Sequence, residues 1–524
     1  MNKEKSNIET NKSLRLIAKS SFILLIGLFL SKVIAYSYRI IIARSDFGLG
    51  PESGMITYGL FSLAVVITSL FLAIASLGLP SGVLRYVSYY RGKKDIKKIS
   101  YVIKLSMIVS IATGILFGIL LFLLSDFISI SIFHDEGLIP FLKWFSITIP
   151  ISLFTAIFIF VIQAYEKMNW YSFIRNILDN FVKLIAIFIL IFFGFKINAI
   201  IFSYILGAIS MLLVSLYVCK YKIPGIFKNY LIKPKEKTKI NKDLFGYSWP
   251  LIFSGLLMFL FTSTDSILIG YIKDAASVGL YNAATPLAAL LLIAPALFIQ
   301  LFFPLITKEY ARKNNQSIKD MSKQVGKWIF LINLPVLIIL ILFPGAIINL
   351  FFGPNYLSAA ASLRFLAIGS FFYSIFMVSE NLISMTGKSK ILMYNILIVS
   401  IINLVLDFIL VSKIGINGAA ISSMTVYIIW SLITMVQARK YSKVIPLRKK
   451  MLLILGISLI PTLILLYLRS IFPINLITLI LFGLLFLILY VFLLLIFKCF
   501  DKHDIMIIKS VKNKILGTKK TKVS

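Results

Sequence analysis

The chain has 524 residues, of which 59% are hydrophobic and 14% charged, and its mean hydropathy is +0.96. Soluble domains run at roughly 45–50% apolar residues, so the composition excludes a water-soluble globular protein and predicts an integral membrane protein. The formal charge of +34 does not imply nucleic acid, because the cations gather in short connections between apolar runs. That is the pattern of the positive-inside rule, with room for contacts to anionic lipid headgroups.

Taken in order, the apolar runs predict an all-α polytopic fold of about fourteen transmembrane helices. They lie near 17–43, 54–79, 100–125, 138–164, 169–194, 198–219, 245–271, 277–306, 326–349, 360–384, 389–411, 417–437, 451–469 and 474–498. Met1 to Lys12 is polar, and the first apolar run lacks a small-residue cleavage site, so it is expected to be retained. Every even connection is basic: Arg85 to Lys98, Lys220 to Lys242, Lys308 to Lys319, and Arg439 to Lys450. The odd connections 45–54 and 134–138 carry no lysine or arginine. Both termini are therefore expected in the cytoplasm, on a multi-pass plasma-membrane protein.

The sequence also repeats itself. Tyr58-Gly59-Leu60 is echoed by Val278-Gly279-Leu280, Lys196-Ile197-Asn198 by Gly415-Ile416-Asn417, and Ala164 to Lys167 more weakly by Met385 to Lys388. All three echoes share an offset of about 220 residues. Six spans separate the copies, so the repeat is parallel. The expected layout is a six-helix lobe over 1–219, a basic cytoplasmic linker over 220–244, and a second six-helix lobe over 245–437. Two further helices cover 438–498, and a basic cytoplasmic tail covers 499–524. The lobes are expected to face each other across a central cavity.

Charges at membrane depth are the candidate functional residues, since each costs roughly 2.5–3.5 kcal/mol and so tends to face a cavity. Lys32, Tyr36 and Arg39 follow i, i+4, i+7 spacing and share a face of the first helix. Arg175, Asp179 and Lys183 follow i, i+4, i+8 spacing in the fifth, about 9, 15 and 21 Å from its start. One acid cannot neutralise these cations, so the set Lys32, Arg39, Arg175, Lys183 and Asp179 reads as a cationic cavity suited to a phosphate or diphosphate. Two plainer readings stand beside it: an intrahelical ladder that only fixes packing, and an Arg39 that snorkels to the interface. In the second half, Asp265 and Asp407 lie among hydroxyls and amides and read as a proton or sodium site, or as hydrogen-bonded packing residues. Glu380 has the same two readings.

Two cysteines and two histidines give neither a disulfide framework nor a metal site. No Gly-rich phosphate loop ending in Lys-Ser/Thr occurs, against an ATP-driven pump. No cofactor, resident metal or catalytic residue is expected.

Four stretches carry a resemblance: IIARSDFGLGPESGMITYGLFSLA (41–64), LGLPSGVLRYVSYYRGKKD (77–95), STDSILIGYIKDAASVGLYNAA (263–284) and SKIGINGAA (412–420). They resemble the polysaccharide transporter branch, the lipid-linked oligosaccharide flippases, of the multidrug/oligosaccharidyl-lipid/polysaccharide exporter superfamily. The likeness spans nearly the whole chain. It departs where Ser45-Asp46-Phe47 and Ser53 to Thr57 lengthen the segment before Tyr58. Arg44, Arg85, Asp265, Gly279, Tyr281 and Asn282 fall on the family pattern, as gating or motif positions. The resemblance implies a non-enzymatic flippase for a polyprenyl-linked oligosaccharide, moving it from the cytoplasmic to the outer leaflet. The implied partners are that substrate, membrane lipids, H+ or Na+, and glycosyltransferases or a polymerase of the same pathway, with no nucleic acid. A multidrug cation antiporter of the same superfamily, and a scramblase or assembly protein of a glycan-synthesis complex, remain open at this point.

Overall fold

The computed structural model describes residues 30–46, 53–223, 225–228 and 233–500. Every regular element among them is helical. The first part comprises α1 (30–44), α2 (Ser53–Ala75), α3 (Leu79–Gly92), α4 (Ile96–Asp126), α5 (Leu138–Ser146), α6 (Thr148–Ala164), α7 (Met168–Ser172), α8 (Asp179–Phe192) and α9 (Asn198–Lys222). The second comprises α10 (Pro234–Ile272), α11 (Ala275–Ala288), α12 (Ile293–Ala311), α13 (Asn315–Leu342), α14 (Pro344–Phe352), α15 (Ala360–Met385), α16 (Ser389–Ile414) and α17 (Ile416–Ser442). Two last helices follow, α18 (Lys449–Ile471) and α19 (Leu476–Ile496). A π turn at Phe173–Leu178 joins α7 to α8.

Eleven of the described helical runs are long and apolar enough to cross a membrane, or twelve with the bent pair α5–α6, whose axes differ by 43°. The other two predicted spans have separate explanations. Residues 17–29 of the first lie outside the described residues, as do 224, 229–232 and the tail from 501. The fifth is the run α7–π turn–α8, which carries three charges, Arg175, Asp179 and Lys183, close together. Two connections differ from the sequence reading. The stretch after the second span is itself a helix, α3. The boundary expected at 244 falls inside α10, which runs unbroken from the linker into the second half.

Polar caps fix several helix starts. Asp95 accepts from the Lys98 amide at 3.1 Å, Asp274 from Ser277 at 2.7 Å and Asn475 from Thr478 at 2.9 Å. Each satisfies a backbone donor that the helix leaves unpaired.

α3, α4, α6 and α9 share a buried core, and α10 enters it through Ile240 and Leu244. Beyond Pro250, α10 packs on α16, among the helices of the second half. α18 and α19 lean on α13, where Arg469 donates to the Leu342 carbonyl at 2.6 Å and Tyr490 to that of Leu331 at 3.2 Å.

The two halves meet most intimately where α2 crosses α11. Gly59 and Gly279, which stand at equal positions in the internal repeat, face each other there. A β-carbon on Gly59 would lie 1.7 Å from the Ala275 carbonyl oxygen, and one on Gly279 would lie 2.3 Å from that of Met55. Only glycine lets the two backbones come so close. Hydrogen bonds bracket the crossing: Tyr58 donates to the Asn282 carbonyl at 3.0 Å, and Tyr36 to that of Pro286 at 2.8 Å. Arg44 donates to the carbonyls of Asn349 and Leu350 at 3.0 and 2.5 Å, at the C-terminal end of α14, where the helix dipole favours a cation. All of these contacts lie toward the face opposite the lysine-rich connections.

Gly59→Ala places a methyl inside a neighbouring carbonyl and forces the helices apart. It is expected to lower unfolding stability by about 1–3 kcal/mol, measured as a drop in the thermal midpoint of the purified protein. An unchanged midpoint would contradict the close crossing.

Candidate functional site

Among the described residues, the charged positions singled out in the sequence gather mainly in two centres, one in each half. The first is a cavity of about 310 Å³ between α6, α8 and α9. Arg175, Asp179 and Lys183 line it, with Tyr204, Ala208 and Met211 on α9 and Ser152 and Thr155 on α6. In regular α8 the i, i+4 spacing brings Lys183 Nζ to 2.8 Å from Asp179 Oδ2. Both side chains are largely shielded, with relative exposures of 12% and 19%. The Lys183 ammonium also sits 4.0 Å from the centre of the Tyr204 ring, a cation–π contact.

The pair occupies a notch made by Gly207. A β-carbon there would lie 2.6 Å from Asp179 Oδ1 and 2.7 Å from the Lys183 side chain. Asp179 Oδ1 is buried and has no hydrogen-bond partner among the described residues. An unmet buried acceptor costs about 1–3 kcal/mol, so the carboxylate is held by one oxygen only.

Arg175 behaves differently. It lies in the π turn, whose extra residue per turn rotates it away from the α8 register. Its guanidinium donates to the Tyr171 hydroxyl instead of reaching Asp179. The cavity thus holds one neutralised cation and one without a carboxylate.

Lys32 and Arg39 are not part of that lining. Lys32 is exposed on α1 and makes no hydrogen bond or ion pair among the described residues. The neighbouring Ser31 accepts from Asn180 of α8 at 3.1 Å, so α1 does pack against the charged helix. Arg39 is half-buried on α1, one turn beyond Tyr36, which reaches the α2–α11 crossing. The predicted cationic set therefore divides: Arg175, Asp179 and Lys183 come together, while Lys32 and Arg39 lie along α1 beside them.

The second centre is acidic. Asp265 of α10 accepts hydrogen bonds from the Tyr281 hydroxyl, from Ser423 Oγ at 2.5 Å and from Asn403 Nδ2 at 3.2 Å. Asn403 also donates to Ser422 at 3.0 Å. Asp407, one turn along α16 from Asn403, is fully buried beside Asp265. Neither of its carboxyl oxygens has a well-aligned hydrogen bond among the described residues. Two adjoining carboxylates, one fully buried and one half-buried, repel each other; a shared proton or a bound cation removes the repulsion. Spans seven, eight, eleven and twelve of the sequence reading thus converge on one acid pair.

The remaining motif residues connect that centre to the crossing. Tyr281, on Asp265, lies two residues from Gly279. Asn282 offers its carbonyl to Tyr58 and its amide to Ser266 at 3.1 Å. Arg85 is elsewhere, stacked 4.1 Å from the Tyr247 ring where α3 meets α10. Glu380 accepts from the Trp430 indole, apart from the acid pair.

Sequence reasoning passed over Tyr204 and Gly207, although Tyr204, Gly207, Ala208 and Met211 follow i, i+3, i+4, i+7 spacing, the mark of one helix face. It also passed over Lys327, which is fully buried on α13.

Comparison with known proteins places this geometry in a family. A family model described as "Polysaccharide biosynthesis protein" matches residues 17–309, more than half the chain, and one described as MatE matches 250–409. The chain is 28% identical to the "Putative O-antigen transporter" of Shigella flexneri, over 78% of this chain and 94% of that protein. It is 23% identical to the lipid II flippase MurJ of Bacillus subtilis, over 79% of this chain and 80% of that one. A solved structure of lipid II flippase MurJ in an inward closed conformation superimposes with a TM-score of 0.71 at 18% identity, covering 91% of this chain and 98% of that one. The chain belongs to the polysaccharide biosynthesis protein family, in the flippase branch of the multidrug/oligosaccharidyl-lipid/polysaccharide exporter superfamily.

Proposed function

We propose that the protein is a flippase that carries a polyprenyl-(pyro)phosphate-linked oligosaccharide from the cytoplasmic to the outer leaflet of the plasma membrane by alternating access, for cell-surface polysaccharide or glycoconjugate synthesis. The observation that carries this reading is the cavity between α6, α8 and α9, where Arg175 and Lys183 face a single carboxylate. A surplus of cations with Arg geometry suits a phosphate or diphosphate. The same walls repel a cationic drug, which weighs against a multidrug antiporter. The names of the Shigella and Bacillus relatives, a putative O-antigen transporter and a lipid II flippase, agree with this reading.

With the lysine-rich connections cytoplasmic, both termini lie inside and the α2–α11 crossing lies at the outer ends of its helices. The described state is then closed outward. Opening requires Gly59 and Gly279 to part, and rocking of one half against the other is the simplest such motion. The acid pair in the second half serves a coupling proton or sodium ion. Filling it changes what Asp265 offers to Tyr281, and Tyr281 sits on the helix that holds the crossing. Ion binding and outer closure thus bias a single element, α11.

Lys183→Ala tests the substrate reading. In proteoliposomes, leaflet transfer of a polyprenyl diphosphate-linked glycan is expected to fall by at least about tenfold, the loss of one buried charge contact, with protein levels unchanged. Wild-type transfer in this variant would overturn the cavity assignment.

Asp265→Asn tests the coupling. Wild-type transfer is expected to slow when the proton or the sodium gradient is collapsed, and the variant is expected to be slow and indifferent to both. A variant that keeps the wild-type gradient response would contradict the role given to the pair.

A further inference from the structure

The Asp179–Lys183 pair poses a problem for the proposed transport reaction. A cavity meant to hold an anion already contains one, bound to its most shielded cation. Asp179 does not hold both cations, because Arg175 turns to Tyr171. Among the described residues Asp179 is paired only with Lys183, by one oxygen, while its other oxygen faces the Gly207 notch without a donor.

Resting on the flippase reading above, we infer that Asp179 is an internal counter-anion that occupies Lys183 in the empty protein and is displaced from it by the phosphate or diphosphate headgroup of the substrate. Three features support this. The pair lies on the wall of a cavity that also presents Arg175, so an entering phosphate meets Lys183 and Arg175 together. A phosphate offers more acceptor oxygens than a carboxylate held by one. The carboxylate has somewhere to go, since Ser152, Thr155 and Tyr204 line the same cavity. The exchange makes or breaks no covalent bond: one anion replaces another on the ammonium.

The consequence concerns release more than capture. A cavity with two unopposed cations would hold a diphosphate tightly and give it up slowly. An attached competing anion lowers that affinity and closes over Lys183 as the headgroup leaves, so each half-reaction begins from a neutralised lysine. This makes Asp179 a residue that sets turnover. The Gly207 notch is what lets the pair form without pushing α8 from α9.

The test is a double-mutant cycle on the full-length protein in nanodiscs, using a polyprenyl diphosphate as the binding probe and glycan-lipid transfer in proteoliposomes as the second readout. Asp179→Asn keeps the shape and removes the charge; Asp179→Ser is the companion should the asparagine variant express poorly. Either is expected to tighten diphosphate binding by roughly tenfold or more, the scale of a close charge coupling, and to slow transfer. In a Lys183→Met background the same change is expected to have little effect, because no ammonium remains to compete for. Weaker binding in the asparagine variant would overturn the inference. So would tightening that persists undiminished without Lys183, since that is general repulsion and not competition. If Lys183→Met alone leaves binding and transfer at wild-type values, the cavity is not the headgroup site, and both the flippase reading at this site and the inference fall.

Discussion

The approach of α2 to α11 governs how the molecule is built. Two glycines at equal positions of an internal repeat meet backbone to backbone, with carbonyl oxygens where side chains would stand. Such a contact is short-ranged and nearly binary: helices that close either touch or part, and a single methyl forbids the touch. The hydrogen bonds around it, from Tyr58, Tyr36 and Arg44, run between the halves and use backbone carbonyls as acceptors. They hold the contact without specific side-chain pairing, which suits a joint that must be remade many times. Away from this joint, α10 ties the halves covalently: it enters the first half's core through Ile240 and Leu244, and beyond Pro250 it packs on both α2 and α16.

On this symmetric frame the charges are placed asymmetrically. The first half sets Arg175 and Lys183 over one acid, and the second sets Asp265 and Asp407 together with no lysine or arginine bonded to either among the described residues. The repeat supplies matching helices, but α8 and α16, its fifth and eleventh spans, carry Lys183 and Asp407 respectively. α11 links the acid pair to the crossing: its Tyr281, Gly279 and Asn282 touch Asp265, the backbone of α2 and Tyr58 within a single turn.

Much of this was legible in the sequence. Span positions follow from apolar length, and the repeat from the Tyr-Gly-Leu echo. The charged face of the fifth span follows from helical spacing, because local periodicity fixes Lys183 against Asp179 directly. What stayed hidden is of two kinds. Arg175 was expected beside Asp179, and only the π turn at Phe173–Leu178 moves it, a backbone irregularity with no signature in residue type. The convergence of Asp265, Tyr281, Asn403, Asp407 and Ser423 is tertiary: each residue was visible alone, and no spacing along the chain brings four helices to one point. The same holds for Lys32 and Arg39. Their shared face was correct as periodicity, but which neighbour that face meets depends on how α1 lies against α2 and α8.

The proposed function puts the anionic headgroup of a lipid-linked glycan in the first half, between α6, α8 and α9. Photo-cross-linking with a polyprenyl diphosphate carrying a short-reach photoreactive group next to the diphosphate, followed by peptide mapping, tests it most directly. The predicted adducts fall on α8 and α9 around Lys183 and Tyr204, and an excess of unlabelled diphosphate suppresses them. Adducts confined to α10 and α16 around the acid pair, with the α8 and α9 peptides unlabelled, would contradict it.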